Sequence, residues 1–112
     1  MNIQIYGVSK SFDTQKAERY FKERKIAFQA VDLRKYGLSK REFESVKAAV
    51  GLKDMIDSES KEYERLDMRQ IGVGNVAAEV LFNNPKLYRA PIVRNGKDAT
   101  VGYRPEIWKD WI

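Results

Sequence analysis

Apolar and polar residues alternate over Asn2–Tyr6, with Ile3 and Ile5 on one side, and this predicts a strand. Gly7 to Phe12 follows as loop. From Asp13 to Lys25 the period lengthens. Ala17, Tyr20 and Phe21 form an apolar stripe while Lys16, Arg19, Lys22 and Glu23 face water, the pattern of an amphipathic helix. Ala27–Val31 predicts a second strand with Phe28 and Ala30 on one face. Two strands joined by a helix predict a parallel pair with a right-handed crossover.

Ser39-Lys40-Arg41-Glu42 is a capping box, Ser as N-cap and Glu three residues on. Phe43, Val46 and Val50 continue that helix and Gly51 ends it. Leu52 to Met68 is charged and predicts short helices. Asn75 is placed to cap a helix carrying Ala77, Val80 and Leu81, which Asn84-Pro85 stops. Pro91-Ile92-Val93, Asn95-Gly96 and Ala99–Val101 then predict a hairpin, with Asn-Gly as a type I′ turn. Pro105 suits a first helical position, and Trp108 and Trp111 lie three apart on a final helix. The order is βαβ, helices, then ββα. It predicts one α/β domain over residues 1–112, with a helical insertion of about residues 35–85.

Composition narrows the chemistry. At 43% hydrophobic and 33% charged, the 112 residues can form a core, so disorder is excluded. Met1 to Tyr6 lacks the apolar run of a signal peptide, and no window approaches the roughly 18 apolar residues of a membrane span. The expected compartment is the cytoplasm, with no membrane partner. The chain has no Cys and no His. Disulfides, thiolate metal sites and Cys nucleophiles fall together, and so do the commonest general base and metal ligand. Only carboxylate, Lys, Tyr, Ser/Thr and Arg chemistry remains.

The net charge of +5 is unevenly spread. Residues 9–25 carry six Lys/Arg against three acids, and residues 85–112 repeat that balance. Residues 53–69 reverse it, with four bases against six acids. If the two basic stretches meet, one face attracts anions; otherwise they are a solvated surface. Asp54, Asp57, Glu59, Glu62 and Glu64 match no calcium-loop spacing, and a solvated helical face explains them, so no metal site is expected. Trp108 and Trp111 read as core or half-buried packing. No nucleic-acid-binding signature accompanies the basic runs, so nucleic acid is not an expected partner.

A βαβ–helices–ββα order with a Pro opening the third strand is the plan of the thioredoxin fold. Local residues sharpen the likeness. Tyr6-Gly7, Ser11 and Lys16-Ala17 resemble the opening of the arsenate reductase and Spx-like family. Lys35-Tyr36-Gly37-Leu38-Ser39 fits the lead into its second helix. Asn84-Pro85 with Arg89-Ala90-Pro91-Ile92-Val93 resembles its Asn-Pro…Arg-Pro-Ile-Val. Val101-Gly102-Tyr103-Arg104-Pro105-Glu106 resembles its closing segment. The resemblance implies a mixed four-stranded sheet of order 2-1-3-4 with an inserted helical subdomain, and a cis Ala90-Pro91 bond. It also implies a Cys at the first helix N-terminus, where unpaired N–H groups and the helix dipole lower a thiol's pKa and hold anions. Glutathione and glutaredoxin serve the family's reductases; the Spx branch contacts RNA polymerase.

The departures are equally specific. Ser11 stands where the family has its Cys. The family's Asp-Thr pair appears as Asp13-Thr14, one place late, and in that register Phe12 takes the Cys place. The Arg directly before the Pro is Ala90, with Arg89 one step back, a step that turns an extended side chain to the other face. The reductases' subdomain Arg falls at Asp57, which would repel an oxyanion. Arg104 keeps its family identity. As a nucleophile Ser11 would need an adjacent base; the alternative is a helix cap bonding backbone N–H groups.

Lys10, Arg89, Arg94 and Arg104 are candidates to ring an anion near that helix start, with ordinary surface charge the alternative for Arg94. Two functions follow. In the first, the chain is of thiol-redox lineage without its nucleophile, has no reductase activity, binds no cofactor, and acts by holding a protein or a small oxyanion at the old site. In the second, it is a glutathione/glutaredoxin-linked, arsenate reductase-type oxidoreductase whose natural form has Cys at position 11. By resemblance, glutathione, glutaredoxin and the α subunit of RNA polymerase are candidate partners.

Overall fold

A computed structural model describes residues 1–112. Its strands are Ile3–Gly7 (β1), Phe28–Asp32 (β2), Ile92–Asn95 (β3) and Asp98–Val101 (β4), in one sheet of order β2-β1-β3-β4. β1 runs parallel to β2, pairing Ile3 with Phe28, and antiparallel to β3, pairing Ile5 with Val93. β3 and β4 form the hairpin.

The period-2 pattern sorts side chains to two faces. Ile3, Ile5 and Val93 pack with Ala17, Tyr20 and Phe21 of helix α1 (Phe12–Glu23), and with Trp108 of α8 (Pro105–Trp108). Full burial of such a side chain is worth about 1.5–3 kcal/mol against leaving it in water. The Trp108 indole N–H donates to the Thr100 hydroxyl at 2.8 Å, so this buried donor is satisfied. Tyr6, Ile92 and Val101 point the other way. They meet the helices between β2 and β3: α2 (Leu33–Tyr36), α3 (Lys40–Val50), α4 (Leu52–Met55), α5 (Lys61–Arg65), α6 (Met68–Ile71) and α7 (Asn75–Asn83).

The Ser39–Glu42 capping box is present in full, and Gly51 (φ 84°) ends α3 as its pattern predicts. Leu52 to Met68 does break into short helices.

Several boundaries differ from expectation. Helix α1 starts at Phe12 and stops at Glu23, because Ser11 caps it and Lys25 takes a left-handed φ of 57°. The second strand starts one residue late, and Ala30 is exposed on this edge strand although it shares a face with Phe28. Asn75 is the first helical residue and not the cap; Gly74 precedes it, with no side-chain capping bond. The hairpin turn is Gly96-Lys97, since Asn95 pairs with Asp98 inside the ladder. Only Gly96 has positive φ, so the turn has the Gly-first form of type II′ and not type I′.

Candidate functional site

Four residues, Val8–Ser11, link β1 to α1, and their conformation is fixed by a side chain from the helix. Thr14 is buried, and its hydroxyl accepts from the Val8 N–H at 3.2 Å. Gly7 lets Thr14 come this close: a Cβ there would lie 2.9 Å from the Thr14 hydroxyl oxygen and nearer still to its methyl. The Ser11 N–H donates to the Val8 carbonyl at 2.9 Å, and the Ser11 carbonyl accepts from the Gln15 N–H. The Ser11 hydroxyl accepts from the Thr14 N–H at 3.2 Å. Ser11 is therefore the N-cap of α1, as its residue type favours.

Beside this helix start lies the Ala90–Pro91 peptide, which is cis. The segment leading into it is pinned to α4: Arg89 N–H donates to the Met55 carbonyl at 2.8 Å, and Asp57 N–H donates to the Leu87 carbonyl at 2.9 Å. This antiparallel pairing is centred on Ile56 and Tyr88, and Asp57 and Arg89 both line the cleft beside it. Ala90 has neither its N–H nor its carbonyl engaged by the protein backbone.

A cleft of about 790 Å³ opens where these segments meet. Lys10 and Ser11 come from the β1–α1 loop, Arg89 and Ala90 from the segment before β3, and Arg104 from the β4–α8 loop. The three candidate cations thus line one cleft with Ser11. Arg104 Nε donates to the Val101 carbonyl at 3.3 Å, which leaves the far end of its guanidinium without a protein partner. Arg34 lines the same cleft and had no signal in the sequence beyond its charge. So do three carboxylates, Asp13, Asp57 and Glu59. Asp57 holds its turn by accepting from the Glu59 N–H at 3.0 Å. None of these cations and carboxylates forms an ion pair within 4.0 Å.

Arg94 is not part of this cleft and is not surface charge either. It lies on the helical face, where its guanidinium donates to Gln4 Oε1 at 2.9 Å and to the Tyr6 hydroxyl at 3.2 Å, 3.8 Å from Glu42 Oε2. Tyr6 in turn donates to the Glu42 carboxylate. Burial, then the Glu42 hydrogen bond, push the Tyr6 hydroxyl up to about 12. Burial also opposes the Glu42 charge, but hydrogen bonds from Tyr6 and Ser39 and the Arg94 charge outweigh it and hold the carboxyl below its usual range. This network ties α3 to the sheet. Its sequence signal was the polar i, i+2 pair Gln4–Tyr6 on a strand whose opposite face is apolar.

No three carboxylates converge closely enough to hold a metal ion. No helix is long and apolar enough to cross a membrane.

A mixed sheet of this order, with a helix start facing a cis-proline segment, defines a thioredoxin-like protein. The sequence profile described as the ArsC family matches residues 6–111, and the chain belongs to that family. It is 25% identical to a global transcriptional regulator, Spx 2, of Oceanobacillus iheyensis, over 99% of this chain and 93% of that one. Among solved structures it resembles an arsenate reductase from Vibrio cholerae, with TM-score 0.85 and 22% identity over 100% and 98% of the two chains. It also resembles an arsenate reductase (ArsC) related protein from Brucella melitensis, with TM-score 0.71 and 19% identity over 99% and 94%. At these identities the structural likenesses speak for the fold.

Proposed function

We propose that this chain is a member of its family that binds at the α1 N-terminus and has no thiol-redox chemistry of its own. The observation that carries the reading is Ser11. The family's nucleophile position holds a hydroxyl, and that hydroxyl accepts from the Thr14 N–H as a helix cap. A serine nucleophile needs a base beside it. The chain has no His, and Lys10 and Lys16 are exposed to water and bond nothing at Ser11. Support for binding comes from the helix start and from Lys10, Arg89 and Arg104, which line the cleft beside it, Arg104 alone keeping its family identity. The ligand is a protein or a small oxyanion.

An amide chemical-shift titration tests this. Orthophosphate, arsenate and short peptides are added in turn to the labelled protein. Movement of Ser11, Thr14 and Ala90 signals is expected with at least one of them. Spectra unmoved by all three would end the binding reading. A pull-down with the C-terminal domain of the RNA polymerase α chain tests the narrower, Spx-like version.

One observation favours a second reading. The Ser11 side chain occupies the cap position at the helix start, where a near-isosteric Cys would meet the same N–H groups and cations. With Cys natural at position 11, the chain would be a glutathione/glutaredoxin-linked, arsenate reductase-type oxidoreductase. The native coding sequence at codon 11 decides between the two.

A further inference from the structure

The chain holds five asparagines, and the fold leaves one of them free to react with its own backbone. Asn83 and Asn84 are held: their side-chain amides donate to the Glu79 carbonyl at 3.0 Å and to the Val80 carbonyl at 2.7 Å. Asn84 also precedes Pro85, whose nitrogen carries no hydrogen to give up. Asn2 and Asn75 precede Ile3 and Val76, whose branched side chains crowd the nitrogen that would have to attack. Asn95 precedes Gly96.

Three observations set Asn95 apart. Gly96 is exposed, and a Cβ built on it would meet nothing within 4 Å, so its nitrogen is open to an approaching group and to water. The Gly96 N–H donates to no main-chain carbonyl. Asn95 is also the last residue of β3, paired with Ile3 on one side and Asp98 on the other, at the end of both ladders. End pairs open at far less cost than the whole fold. Opening there frees Asn95 to turn its side-chain carbon toward the Gly96 nitrogen.

We infer that Asn95-Gly96 is a site of spontaneous covalent modification, at which Asn95 is converted to aspartate and isoaspartate. The Gly96 N–H loses its proton to hydroxide and its nitrogen bonds to Asn95 Cγ. The Cγ–Nδ2 bond breaks, and the amide leaves as ammonia with a proton from water. Water then opens the cyclic imide. Attack at Cγ leaves aspartate in an ordinary chain; attack at the Asn95 main-chain carbonyl leaves isoaspartate, with the chain running through the side-chain carbon. No oxidant or reductant takes part.

The products act on a corner of the sheet. Either one sets a carboxylate opposite Asp98, a like-charge pair across the hairpin. Isoaspartate also lengthens the main chain of β3 by a methylene, so Ile3 and Asp98 cannot both keep their partner. Asn95 lies at the end of β3 away from Pro91, so the modification bears on the hairpin and is independent of what the cleft binds.

The test incubates the folded full-length protein in mildly alkaline buffer and follows it by mass spectrometry. Digestion at glutamates keeps Asn83, Asn84 and Asn95 in one peptide, so two of them serve as internal controls. Conversion is expected at Asn95 alone, with isoaspartate detected by isoaspartyl methyltransferase labelling. Asn95→Gln, which would have to close a larger ring, should remain a single species. Asn95→Asp reports the charge without the added methylene; its hairpin amides should exchange hydrogen about two- to fivefold faster than in the unmodified protein. The isoaspartate form, separated by ion exchange, should exchange faster still.

An Asn95 that stays intact in the folded protein, over an interval in which the urea-unfolded chain converts, would overturn the inference. So would earlier conversion at any other asparagine, or conversion that persists in Asn95→Gln. Full hairpin protection in the isoaspartate form would overturn the structural consequence drawn from the ladder.

Discussion

The Tyr6 hydroxyl donates to the Glu42 carboxylate, and through this bond strand β1 holds helix α3. The same carboxylate accepts from the Ser39 N–H at 2.8 Å, so one side chain both caps α3 and fastens it to the sheet. Glu42 is held below its usual range in the fold. A carboxyl lowered on folding adds stability above its unfolded value, near 4.5, and loses it as pH falls through the folded value. Stability should therefore drop on acidification below about pH 4.5, and Glu42→Gln should flatten that limb and cost about 1–3 kcal/mol at neutral pH. Urea unfolding between pH 3 and 7 checks it. An unchanged acid limb in the variant would contradict the role given to Glu42. Tyr6 works in the opposite sense: raised from 10.0 to about 12, its contribution is complete below pH 10 and lost as pH rises through 12.

Thr100 is the acceptor for the buried Trp108 indole N–H. Thr100→Val keeps the side chain's shape and orphans that donor. The expected loss is about 1–3 kcal/mol in chemical denaturation. A neutral result would mean that the indole N–H finds another partner.

Gly7 has no room for a side chain against Thr14. Gly7→Ala should push Thr14 off its bond to Val8 and cost about 1–3 kcal/mol. It should also broaden the amide signals of Val8–Ser11, because that loop takes its shape from Thr14. A stable variant with sharp loop signals would contradict this.

Ser11→Cys asks what the helix start does to a thiol. The α1 N-terminus with Lys10 and Arg104 should bring it below the free value of about 8.5 by roughly one unit, read from thiolate absorbance against pH. A thiol at or above 8.5 would remove support for a natural Cys at this position.

Most of the architecture was legible in the sequence because it is written in period and punctuation. Ile3 and Ile5 marked a strand face, Ala17, Tyr20 and Phe21 a helix stripe, and Ser39–Glu42 a helix start. The turn at Gly96-Lys97 is not legible locally, because Asn-Gly reads as a turn pair by itself. Only the ladder, with Asn95 paired to Asp98, moves it one place. The role of Arg94 is hidden from the sequence for a related reason. Its partners Gln4, Tyr6 and Glu42 lie 52 to 90 residues away in the chain, and no local pattern connects them. The cleft was half visible. Lys10, Ser11 and Arg104 carried signals, whereas Arg34 and Glu59 enter it only because the helices after β2 fold back over the strand ends.

The account turns on whether the Ser11 hydroxyl does anything except cap α1. The most direct measurement supplies the unmodified protein with arsenate, glutathione, glutaredoxin and an NADPH-coupled glutathione reductase, and follows NADPH consumption. The expected rate equals that of the blank without protein. A rate above the blank that Ser11→Ala removes would contradict the account.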